Sequence, residues 1–111
     1  LDLARSGAPI KGTVSFHGLL TRPNQSSKLI PSKILALHGY DDPMVQPDSV
    51  LNFANEMTEA KADWQIHLYG HTVHAFTNPN ANDPNFGTVY NSIADQRSWL
   101  AMKNFLDEVF Q

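Results

Sequence analysis

Two side chains in this sequence have the types and setting for proton-transfer chemistry. Asp42 stands in Gly39-Tyr40-Asp41-Asp42-Pro43-Met44-Val45, and His74 stands in Gly70-His71-Thr72-Val73-His74-Ala75-Phe76. Each segment follows an apolar, strand-like run and puts a polar residue on the turn where a strand ends. A carboxylate can accept a hydrogen bond from one imidazole nitrogen and fix the ring's tautomer. It then stabilises the imidazolium formed when the other nitrogen takes a proton. In order, the two residues supply the acid and then the base of a nucleophile–acid–base triad. The nucleophile has no candidate. No Gly-x-Ser-x-Gly precedes Asp42, none of the serines sits in such an elbow, and the chain has no cysteine. The expectation is half of a catalytic site that these residues cannot complete alone.

A metal site is the rival reading. His67, His71 and His74 cluster in sequence, with Asp41 and Asp42 as possible oxygen donors. Gly70, however, breaks the strand on which His67 and His71 would share a face, and no zinc-type ligand spacing appears. No metal or organic cofactor is expected, because a triad with an oxyanion hole needs neither. His17 and His38 also end strands and could line the same cleft. For His38 a plain polar strand terminus is the expectation. Asp41, Asp42 and Asp48 each have a bland alternative as turn formers or helix caps.

The elements that must position Asp42 and His74 are legible. Leu1–Ser6 reads as the last turns of a helix, with Gly7 as its cap and Pro9 as a stop, so the chain looks cut from something longer. Lys11–His17 reads as a strand, and residues 19–32 as a surface loop. Lys33–His38 has a continuous apolar middle, the mark of a strand buried on both faces. Pro47-Asp48-Ser49 opens a helix whose stripe is Val50, Leu51, Phe53, Ala54 and Met57. Trp64–Tyr69 alternates as a third strand. The Asn/Pro-rich stretch 78–85 excludes regular structure from the loop 70–90. Ser92-Ile93-Ala94-Asp95 resembles a capping box, and its helix runs to Val109 with Trp99, Met102, Phe105, Leu106 and Val109 buried. Gly39 and Gly70 are expected to permit the sharp turns after their strands. The pattern is α/β, a mostly parallel three-stranded sheet flanked by helices. If the second and third strands are adjacent, Asp42 and His74 converge at their carboxyl ends.

Composition narrows the classes. The 111 residues are 41% hydrophobic and 17% charged, with a net charge of −3. That suffices for one domain. There is no basic patch for nucleic acid and no apolar run long enough to span a membrane, so neither is an expected partner. The first residues do not form a signal peptide, and a cytoplasmic location is the expectation.

Three motifs carry a family resemblance. They are Leu37-His38-Gly39-Tyr40-Asp41-Asp42-Pro43-Met44-Val45, then Tyr69 through Pro79, and Asp95-Gln96-Arg97-Ser98-Trp99 with Phe105-Leu106. Together with Val14-Ser15-Phe16-His17-Gly18, they resemble the C-terminal half of the dienelactone hydrolase family. The resemblance covers essentially all of residues 1–111, which would then be a partial α/β-hydrolase domain. It implies a parent that hydrolyses lactones or carboxyl esters, with Asp42 as the acid and His74 as the base. The nucleophile, cysteine or serine, would sit on an elbow before the helix end at Leu1–Ser6. The isolated chain would be inactive. It would also associate through the exposed strand Lys11–His17. The alternative is a non-catalytic binding module that uses the polar loop Asn78–Tyr90 as its recognition surface.

Overall fold

The computed structural model describes residues 1–22 and 29–111. The middle of the loop expected over 19–32 lies outside the described residues. In chain order the elements are α1 (Asp2–Arg5), β1 (Gly12–Phe16), β2 (Lys33–Gly39), α2 (Pro47–Glu59), β3 (Trp64–Tyr69), β4 (Asn82–Asp83), β5 (Thr88–Val89) and α3 (Ser92–Val109). β1, β2 and β3 form one sheet in that order, and both pairings are parallel. This is the α/β architecture that the strand–helix–strand pattern dictates.

β2 is the spine. Its side chains point alternately to opposite faces, and both faces are covered. Ile34 and Ala36 join Phe53 and Met57 of α2 in one apolar cluster. Leu35 and Leu37 join Phe76, with Ala94 and Phe105 of α3, in a second. The unbroken Ile34–Leu37 run is therefore required by burial on two sides.

The helix ends follow known backbone chemistry. Gly7 adopts φ +81 after α1, as a C′ residue should. After α2 the left-handed C′ position falls to Lys61, at φ 55. The Lys61 amide bonds the Thr58 carbonyl, and the Ala62 amide bonds that of Met57, closing a Schellman motif.

Four local expectations are corrected. Asn91, not Ser92, caps α3, because its Oδ1 reaches the Ala94 amide at 3.0 Å. Asp95 instead accepts the Tyr90 hydroxyl at 2.6 Å. Trp99 and Leu51 are exposed, at 55% and 64%, because each apolar stripe is wider than the strip of sheet its helix covers. The loop 70–90 also holds a short antiparallel ladder, Asn82↔Val89 and Asp83↔Thr88, in which backbone pairing overrides the turn-forming composition.

One ion pair ties α1 to α2. Arg5 and Glu56 are both buried, and the guanidinium meets the carboxylate at two points, Nε–Oε2 at 2.8 Å and Nη2–Oε1 at 2.9 Å. Its remaining donors reach the carbonyls of Leu20 and Thr21 and the carboxylate of Asp2. Burial alone would lower the Arg5 pKa, but the hydrogen bonds and charges of Glu56 and Asp2 outweigh it and raise it. Removing one partner strands a buried charge. Arg5→Met should cost about 3–5 kcal/mol in chemical denaturation, and Arg5→Met/Glu56→Leu should recover most of it.

His38, 2% exposed, donates from Nε2 to the Val45 carbonyl at 3.0 Å. Its Nδ1 has no partner among the described residues. Burial pushes the ring's pKa below its ordinary 6.5, while in the unfolded chain that value applies. The unfolded state therefore binds the extra proton. Stability from this site is full above pH 6.5 and is lost as pH falls through 6.5 toward the folded value. The slope follows the difference in protons bound by the unfolded and folded states. Urea midpoints at pH 7.5 and 5.5 should differ less in His38→Gln than in the parent sequence.

Candidate active site

The site is built where β2 and β3 leave the sheet. Their register pairs Gly39 with Tyr69, so both strands end level. The outgoing chains then bond each other. The Tyr40 amide donates to the Tyr69 carbonyl at 2.9 Å, and the Asp41 amide to the Thr72 carbonyl at 3.0 Å. Gly39 is required by this approach, since a Cβ there would lie 2.5 Å from the Thr72 oxygen and 2.8 Å from that of Val73. Gly70 is not required in the same way. A Cβ there meets nothing within 4 Å, and the left-handed turn falls on His71, at φ 56.

Asp42 is 1% exposed, and its carboxylate serves two masters. Oδ1 accepts the Met44 amide at 2.8 Å, which makes the turn. Oδ2 accepts His74 Nδ1 at 2.7 Å. The turn-former role and the site role thus coexist on separate oxygens of one group. The backbone around Asp42 is held by its own amide on the Gly39 carbonyl and by the Val45 amide on the Asp42 carbonyl.

His74 is pinned from the other side. Its amide donates to the Gly87 carbonyl at 3.0 Å, and its carbonyl accepts the Val89 amide at 3.3 Å. The chain then reverses at Ala75, φ 59, and drops Phe76 into the core at 0% exposure. The Asn91 amide bonds the Phe76 carbonyl, and Asn91 Nδ2 donates to Thr72 Oγ1 at 3.3 Å. With Nδ1–H committed to Asp42, Nε2 carries the lone pair. The His74 side chain is 20% exposed, so the ring is partly open to the surface. The pair can therefore accept a proton at Nε2 and share the resulting charge with Asp42.

The other histidines divide. His17, at the end of β1, lies beside His74 with ring centroids 5.3 Å apart, and its Nε2 shares a 2.9 Å hydrogen bond with Thr77 Oγ1. Burial, followed by the nearby His74, lowers its pKa. His38 is buried under the Asp42 turn. His67 pairs with Gln65 on the sheet and meets Tyr69 edge to face, and His71 and Asp41 are exposed. Among the described residues no group of three or more His, Asp or Glu side chains gathers as a metal site would. Sequence reasoning passes over Thr77 and Asn91. Asn91 carried a signal, an Asx residue just before a helix. Thr77 carried none, since its place depends on the reversal at Ala75.

Comparisons with known proteins bear on the family and the fold. The model of the dienelactone hydrolase family matches residues 1–110. An uncharacterized protein of Caenorhabditis elegans is 34% identical over 105 residues, covering 91% of this chain and 66% of that protein. The structure resembles that of the dienelactone hydrolase-like promiscuous phosphotriesterase P91 from metagenomic libraries, with a TM-score of 0.89 and 39% identity over 97% of this chain. It also resembles the structure named m3DLH, with a TM-score of 0.88 and 38% identity over 99%. The chain spans 46% and 47% of those two structures, less than half of each. On the strength of the family match and these likenesses, the chain belongs to the dienelactone hydrolase family.

Proposed function

We propose that this chain carries the acid and base of a hydrolase that cleaves lactone or carboxyl ester bonds. The carrying observation is the 2.7 Å hydrogen bond from His74 Nδ1 to the buried Asp42 carboxylate. In the full protein, an elbow cysteine or serine outside these residues would be the nucleophile. His74 Nε2 takes its proton as it attacks the ester carbonyl, and Asp42 stabilises the imidazolium. The tetrahedral oxyanion collapses, the bond to the leaving oxygen breaks, and His74 returns the proton to that oxygen. Water, deprotonated by the same nitrogen, then releases the acid and restores the nucleophile. No step uses a metal or cofactor. Family membership supports the hydrolase reading. The likeness to a protein described as a promiscuous phosphotriesterase adds phosphotriesters to the substrates worth assaying.

In the full protein, His74→Ala should remove turnover of aryl esters and lactones while leaving the fold intact. Asp42→Asn should lower kcat by about 10⁴-fold through the wrong tautomer. Wild-type turnover in His74→Ala would refute the assignment, and full retained function in His74→Ala/Asp42→Ala would favour the binding-module reading. The 111-residue chain alone should show no turnover. Among the described residues the outer edge of β1 has no strand partner. The isolated chain should associate through Lys11–His17, and sedimentation as a monodisperse monomer would count against this.

A further inference from the structure

A hydrogen bond at Nδ1 does not by itself hold an imidazole. The ring can still swing about Cα–Cβ or turn over about Cβ–Cγ, and either motion takes Nδ1 off Asp42. The His74 ring is met by that of His17, edge to face, at 5.3 Å with an interplanar angle of 67°. His17 is itself unusually fixed. Its amide bonds the Leu37 carbonyl at 2.8 Å, which keeps it on the end of the sheet. Its ring packs edge to face on Phe76, also at 5.3 Å, and Phe76 is fully buried. Its Nε2 is tethered to Thr77 Oγ1. Its backbone sits at φ 37, a left-handed conformation that a non-glycine residue keeps only when its surroundings impose it.

We propose that His17 is a positioning residue for His74. Its ring is the wall that keeps the His74 imidazole with Nδ1 on Asp42 and Nε2 free to take a proton. This rests on reading His74 as the general base. Thr77 and Phe76, from the segment that follows His74, set the angle of that wall, so the loop carrying the base also carries the brace for its neighbour. The lowered pKa of His17 fits the role, since a neutral neighbour does not oppose the charge that His74 acquires in turnover.

The test measures His74 directly. In the full protein with ¹⁵N-labelled histidines, the two ring nitrogen shifts of His74, assigned by their loss in His74→Gln, give its tautomer ratio. The parent sequence should show the Nδ1–H form. His17→Asn tolerates the left-handed backbone but lacks the ring, and it should give a mixture of tautomers. It should also lower kcat by about tenfold with KM little changed, as expected for a misplaced reacting group. His17→Phe/Thr77→Val keeps an aromatic wall without the hydrogen bond and should restore the Nδ1–H form. An unchanged His74 ratio in His17→Asn, or a parent ring not in the Nδ1–H form, overturns the proposal. If His74→Gln removes turnover while His17→Asn does neither thing, the base assignment stands and this proposal falls. If His74→Gln keeps turnover, the base assignment falls and takes the proposal with it.

Discussion

Asp42 and His74 meet because two parallel strands end at the same level. Parallel pairing aligns β2 with β3 from Ile34↔Trp64 to Gly39↔Tyr69, and this puts both carboxyl ends on one side of the sheet. Everything after that is a matter of how closely the outgoing loops approach. Gly39 lets the 72–73 backbone lie directly on the end of β2, and the amides of Tyr40 and Asp41 close the gap. A Cβ at position 39 would lie 2.5 Å from the Thr72 oxygen, so the histidine loop would have to move outward. At hydrogen-bond range that displacement breaks the pair, because a donor–acceptor contact weakens steeply beyond about 3.2 Å.

The strands can serve this purpose only if their own position is fixed. β2 is clamped between α2 and α3 by two separate apolar clusters, so it cannot shift register without exposing both. The Arg5–Glu56 pair adds a directional constraint to α2. Hydrophobic packing tolerates sliding, whereas a two-point guanidinium–carboxylate contact does not. α2 in turn follows the Asp42 turn within a few residues, so its fixed position limits where that turn can go.

How much of this was legible follows from which forces set each feature. The three strands, their parallel order and both long helices were readable, since burial on one or two faces leaves a periodic mark in sequence. Asp42 and His74 were readable as a pair because each sits at a fixed offset past a strand end. The α3 cap was misplaced by one residue because Asn91 and Ser92 are both competent caps, and only the backbone decides between them. Trp99 and Leu51 were assigned to the core because periodicity gives an apolar face but not the width of what covers it. The β4–β5 ladder was hidden in a turn-rich composition whose Asp83–Gly87 segment is its turn, and the Thr77 contact had no local signal. The ladder is closed by the turn 84–87, with Gly87 at φ 89 and its amide on the Asp83 carbonyl, and the Thr77 contact depends on the reversal at Ala75, a non-glycine residue at φ 59.

Such non-glycine reversals explain where the fold accepts cost. Among the described residues four non-glycine positions have left-handed φ, and three of them, His17, His71 and Ala75, lie within or beside the histidine loop. Each costs on the order of 1 kcal/mol relative to relaxed backbone. The local bonds that offset this are specific. The His17 amide is held by Leu37, the chain after His71 by the Thr72–Asp41 and Thr72–Asn91 contacts, and the turn at Ala75 by its carbonyl on the Asn78 amide. A helix ending accounts for the fourth, Lys61, without any site. Strain concentrated around one imidazole, and matched there by hydrogen bonds from separate segments of the chain, is what a structure needs in order to hold a ring in one orientation against its own torsional freedom.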